Sequence, residues 1–221
     1  VGAPIVSTAG SGALTGADGA SANSVQITGG AVTAANAVTI TGGDDASGDS
    51  VQIESATVTA TSGNVGITGG SNAGSDSIQI FGGATVTATA GAVTIAGGDD
   101  FVNRSVIINN ADVQAAGDVT VTTGDDSAPS GTNLQIAGGS TIVSTAGAVA
   151  LTGGDVASAN SVQIEGGVTM VTAANAVTIA GGADAITDSV FIDGAAVTAN
   201  TGDFLLTGGA NAGGDSVQLS G

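Results

Sequence analysis

Carboxylates are the groups in this chain with chemistry to offer, and most of them are clustered. Of nineteen acidic residues, thirteen fall in eight short segments of similar composition. These are Asp18; Asp44, Asp45 and Asp49; Asp76; Asp99 and Asp100; Asp125 and Asp126; Asp155; Asp184 and Asp188; and Asp215. One base, Arg104, answers them, and the formal charge is -18. Acidic pairs of this kind suit a hard cation. Calcium takes about six to eight oxygens at about 2.3–2.6 Å, so one ion can bridge carboxylates of neighbouring segments. The candidate ligands are Asp44, Asp45, Asp49, Asp99, Asp100, Asp125, Asp126 and Asp155, where acids are paired or adjacent. The plainer reading is that these aspartates cap turns and keep the chain soluble.

Other chemistry has few bearers. The chain has no His, Cys, Trp or Tyr, so it holds no imidazole base, thiol nucleophile, zinc ligand set or disulfide. A single base makes no phosphate-binding surface, and nucleic acid is not an expected partner. No apolar run reaches the roughly 18 residues of a membrane helix, so membrane insertion is not expected. Clustered acids such as Asp99 and Asp100 with Asp125 and Asp126 would suit sugar cleavage only beside basic or aromatic groups, which are nearly absent. The expectation is a protein that is not an enzyme.

The elements that would position the acids repeat. A four-residue phrase begins at positions 24, 50, 77, 105, 133, 161, 189 and 216, as in Ser24-Val25-Gln26-Ile27 and Ser161-Val162-Gln163-Ile164. Its steps are 26 to 28 residues. Two more phrases recur within each period: Val32-Thr33-Ala34, with counterparts such as Val86-Thr87-Ala88, and Val38-Thr39-Ile40, with counterparts such as Val93-Thr94-Ile95. Apolar, polar, apolar alternation in β-branched residues is the pattern of a half-buried strand. Glycine corners such as Gly29-Gly30 separate the strands, and the Gly, Val and Thr content disfavours helix.

A unit of three short strands cannot bury its apolar face alone, whereas stacked units can. The expected fold is all-β: a parallel β-helix, or β-solenoid, with three strands per coil, about eight coils and 1–221 as one domain. Coils would stack about 4.8 Å apart. Val25, Ile27, Val32, Val38 and Ile40 should point inward, and Gln26, Thr33 and Thr39 outward. Down the outer faces, the glutamines should form an amide ladder. Thr33, Thr59, Thr87, Ser144, Thr172 and Thr198 should form a hydroxyl stripe interrupted at Gln114.

A longer period overlies the short one. Residues 20–27 recur at 157–164, and 32–40 recur at 171–179, so five coils make a super-repeat. The chain starts and stops inside a coil. Joining its end to its start would place the next copy of Ser24 29 residues beyond Ser216, almost in phase. Self-association is therefore the expected partnership, either a head-to-tail homopolymer or membership of a longer array.

Three resemblances add to this reading. Gly74-Ser75-Asp76-Ser77-Ile78 resembles the tail of the calcium-binding nonapeptide of bacterial repeat toxins, which implies structural calcium. Thr57-Val58-Thr59 and Thr85-Val86-Thr87 resemble the ice-binding faces of antifreeze solenoids. Gly63-Asn64-Val65-Gly66-Ile67 and Gly117-Asp118-Val119-Thr120-Val121 look like repeats of large secreted bacterial β-helix proteins, the filamentous-haemagglutinin-like exoproteins and autotransporter passengers. That last likeness implies export, a surface or extracellular location, and an adhesive or scaffolding role. The expected function is a structural extracellular fibre or scaffold, with an adhesin stalk as the alternative and an ice-binding solenoid as a minor one.

Overall fold

A computed structural model describes residues 4–99, 101–125 and 131–221. Every regular element among them is a strand, and each coil of the chain contributes one strand to each of three parallel, eight-stranded sheets. The first, the alanine sheet, runs from Ile5–Ser7 through Ala31–Ala34, Thr57–Ala60, Thr85–Ala88, Asp112–Ala115, Thr141–Ser144 and Met170–Ala173 to Ala196–Ala199. The second, the hydroxyl sheet, comprises Gly12–Thr15, Val38–Thr41, Val65–Thr68, Val93–Ala96, Val119–Thr122, Val149–Thr152, Val177–Ala180 and Phe204–Thr207. The third, the amide sheet, comprises Val25–Thr28, Val51–Glu54, Ile78–Phe81, Val106–Asn109, Leu134–Ala137, Val162–Glu165, Val190–Asp193 and Val217–Ser220. The molecule is a β-solenoid. The chain passes from the amide sheet to the alanine and hydroxyl sheets by tight turns, then returns through the acidic loop.

Like residues stack on like because the register is the same from coil to coil. Val38 pairs with Val65, Val65 with Val93 and Val93 with Val119 down the hydroxyl sheet. Val25, Ile27, Val32, Val38 and Ile40 are all buried, as their alternation requires. Columns of Val, Ile, Leu and Ala fill the interior from all three sheets. Burying one such branched side chain is worth about 1.5–3 kcal/mol, so the narrow core gains its stability by repetition rather than from large anchors.

One strand departs from the sequence alignment. Ser144 does not stand in the outer stripe; it pairs with Ala115 and Ala173 in an inward column and is buried. Val143 takes the outward place, between Gln114 and Thr172. The preceding turn is not the cause, since Gly138 and Gly139 (φ 66 and 82°) match Gly82 and Gly83 (68 and 80°) before a strand that keeps Thr87 outward; Ile142, Val143 and Ser144 simply fill the rows of Val86, Thr87 and Ala88. A shift of one residue exchanges the two faces of a strand. The hydroxyl of Ser144 is satisfied inside, donating to the Gly117 carbonyl at 2.7 Å and accepting from the Gly147 amide at 2.9 Å.

The loop layer also holds a small fourth sheet, Val156–Ala157 paired in parallel with Asp184–Ala185. The repeat phrases carry no sign of it.

Candidate functional site

The acidic edge is built on a corner that recurs in seven of the eight coils. Seven times, a glycine ends the strand of the hydroxyl sheet and a serine eight residues later opens the next strand: Gly16 with Ser24, Gly42 with Ser50, Gly69 with Ser77, Gly97 with Ser105, Gly153 with Ser161, Gly181 with Ser189, and Gly208 with Ser216. The serine hydroxyl closes the loop by donating to a carbonyl seven residues upstream, as Ser77 does to Gly70 at 3.0 Å. It also clamps two coils together by accepting the amide of the next coil, as Ser77 does from Gly98 at 2.8 Å. A Cβ on the paired glycine would sit less than 3 Å from that hydroxyl, so the residue there must be glycine.

A second glycine follows the first. Gly43, Gly70, Gly98, Gly124, Gly154, Gly182 and Gly209 stack directly, and a Cβ on any of them would lie within 3 Å of the backbone of the preceding coil. This column sets how closely the loops approach one another.

On this base the aspartates form two columns, and neither is a set of free charges. In the first, the Asp18 carboxylate accepts the Asp44 amide (3.0 Å) and Asp44 accepts the Ser71 amide (2.7 Å). Asp99 then accepts from Asp125 (3.0 Å), Asp125 from Asp155 (2.6 Å), and Asp155 from Ala183 (3.4 Å). In the second, Asn23 accepts the Asp49 amide (2.8 Å) and Asp49 accepts the Asp76 amide (3.1 Å); Asn160, Asp188 and Asp215 repeat the pattern further along. Each side chain satisfies a main-chain donor that the loop would otherwise leave open. The bond runs to the next coil, not within the turn.

The candidate calcium ligands are thus divided. Asp44, Asp99, Asp125 and Asp155 share the first column and are exposed. Asp45 lies beside it, exposed, with φ at 55°. Asp49 is buried in the second column, and its other oxygen accepts from Gln52 at 2.9 Å. Asp100 and Asp126 lie outside the described residues. Among the described residues, no three Asp, Glu, His or Cys side chains gather as a metal-holding group.

Asp76 is strongly perturbed by its place in the stack. It is buried, and Arg104 of the next coil lies 3.6 Å from its Oδ1, which has no hydrogen-bond partner. Burial raises its pKa from 3.8 to about 6, against the pull of Arg104 and with Asp49 adding to the rise. Sequence reasoning placed Asp76 in the loop but had no signal for its burial, because burial depends on the coils above and below.

The outer faces are less uniform than the corner. Gln26 donates to Gln52 (2.6 Å) and Gln52 to Gln79 (3.0 Å), but Ile107 holds the next place in the row. Beyond it, Gln135 and Gln163 both donate to Glu165 (2.9 and 3.0 Å), so the amide ladder is confined to three coils. The outward rows of the hydroxyl sheet carry Thr, Ala, Gly and Leu205 and no charge.

No family model, curated protein or solved structure matches this chain. What it does must be argued from the stack itself.

Proposed function

We propose that the chain is a structural module, a rod of β-solenoid that serves an extracellular fibre or surface scaffold. The observation that supports this most is the continuity of its bonding. Main-chain ladders, serine clamps and aspartate columns all run from coil to coil, along the direction in which such a rod is loaded. Eight coils at about 4.8 Å give a length near 40 Å. More coils would lengthen the rod without altering its cross-section. The likeness of its repeats to secreted β-helix exoproteins supports an extracellular setting. Electron microscopy of the native assembly should show this chain within thin, extended rods outside the cell. Isolated globular particles, or an intracellular location, would overturn the reading.

Cation bridging of the exposed aspartate column belongs to the same proposal. Neighbouring carboxylates about one coil apart repel by about 1 kcal/mol per pair in water, which a bound calcium would relieve. The melting temperature should then fall on chelation at fixed ionic strength and recover with added calcium. A melting temperature indifferent to chelator removes calcium from the proposal and leaves the rod intact.

A further inference from the structure

The first coil differs from the later ones at two places in the stack. In six later strands of the alanine sheet, the first amide donates to a carbonyl of the preceding coil. Thr57 donates to Gly30, Thr85 to Ala56, Asp112 to Ala84, Thr141 to Ala111, Met170 to Ser140 and Ala196 to Thr169, at 2.8–3.1 Å. Pro4, immediately before Ile5, occupies that place in the first coil, where Ile5 pairs with Val32. Proline has no N–H, so the ladder loses this donor at one corner.

At the loop corner the break is steric. The seven stacked glycines each leave less than 3 Å between a would-be Cβ and the coil before. The first place in that column belongs to Ala17, whose carbonyl lies under Gly43. Ala17 has the Cβ that every later member of the column lacks. A coil laid beneath it in the common register would bring a carbonyl into that Cβ.

We infer that Pro4 and Ala17 form a built-in stop, so that the face of the first coil rejects a second copy of this chain stacked in register. This rests on the rod reading above and limits it: the rod is lengthened by coils of a different corner, not by head-to-tail repetition of this chain. Edge protection by proline and by side chains that obstruct pairing is a general device of exposed sheets. Here the two obstacles sit at different corners of one coil and act by different means, one by deleting a bond and one by occupying space.

Sedimentation velocity on the 221-residue chain and on the P4T/A17G double variant tests the stop. The unaltered chain should keep one mass as concentration rises. The double variant should gain mass with concentration, and adding F204D, which charges the opposite face, should abolish the gain. Equal masses for the two chains at every concentration, or growth of the unaltered chain, would overturn the inference. The premise has its own control inside the rod. G98A and T85P install the same obstacles between coils and should lower the melting temperature sharply, while P4T/A17G should leave it unchanged. If G98A melts with the parent, the steric argument fails. Failure of the wider rod reading would appear in the location and shape of the native assembly, which these masses do not report.

Discussion

The fifth loop corner and its seven counterparts solve one problem with different residues. Elsewhere a glycine makes room for a serine hydroxyl that closes the loop and clamps the next coil. In the fifth, Thr123 stands in place of the glycine and Asn133 in place of the serine. The two tasks are redistributed. Asn133 Nδ2 donates to the Gly124 carbonyl at 3.3 Å, closing the loop, and to the Val156 carbonyl of the next coil at 2.8 Å. Thr123 Oγ1 accepts the Gly154 amide at 2.7 Å, which is the clamp. The corner therefore requires one donor and one acceptor, which a serine supplies alone beside a glycine and which Thr123 and Asn133 supply between them.

The comparison can be broken most severely by mixing the two solutions. Thr in place of Gly97 would press its Cβ onto the Ser105 hydroxyl, and about 3 kcal/mol or more of stability should be lost in denaturant unfolding. The G97T/S105N pair, which sets the fifth corner's two residues eight rather than ten positions apart, should recover at least half of that loss. No recovery would show that the exchange depends on something beyond the two residues.

Removing the clamp alone should cost less. S77A strips a buried donor from Gly70 O and a buried acceptor from Gly98 N, for a loss of about 2–4 kcal/mol. The exposed counterpart S216A, at a corner with the same donor bond, should lose about 1 kcal/mol or less. Similar losses at both sites would contradict the burial argument.

The loop edge should also respond to pH through Asp76. Its folded-state pKa of about 6 lies above the ordinary 3.8, so the folded chain takes up this proton more readily than the unfolded one. The associated stability is complete below pH 3.8 and lost as the pH rises through 6. At most it amounts to about 3 kcal/mol, from about 1.4 kcal/mol per pH unit. Asparagine at position 76 should flatten this part of the stability profile between about pH 4 and pH 7. A profile parallel to that of the parent would show that Asp76 does not titrate in this range. In the first column the smallest effect is expected: D44N keeps an oxygen to accept the Ser71 amide and should stay within about 0.5 kcal/mol, while D44A should lose about 1 kcal/mol.

The period, the three strands per coil and the inward places of Val25, Ile27, Val32, Val38 and Ile40 were legible in the residues alone. Alternation and recurrence report which side of a strand is buried, and those depend on neighbours a few positions away. The strand at Thr141–Ser144 departs from its alignment because Ile142 and Val143 are both apolar and β-branched, so alternation alone does not say which of them takes the inward place. The glutamine row and its break at Ile107 were visible in the repeat, but the convergence of Gln135 and Gln163 on Glu165 needed side-chain positions.

For the acidic edge the division is sharper. Composition by itself determined that the loops carry the charge and that Arg104 alone answers it. Only the stacking of coils decided what each carboxylate does, because its partner is an amide some 26 to 30 residues away in sequence. Stacking likewise buried Asp76, made Gly43 and its successors obligatory, and turned Pro4 and Ala17 from ordinary residues into obstacles. The sequence determined a repeating strand unit through local alternation; the tertiary structure decided the contacts between repeats, where bond geometry and excluded volume act across coils.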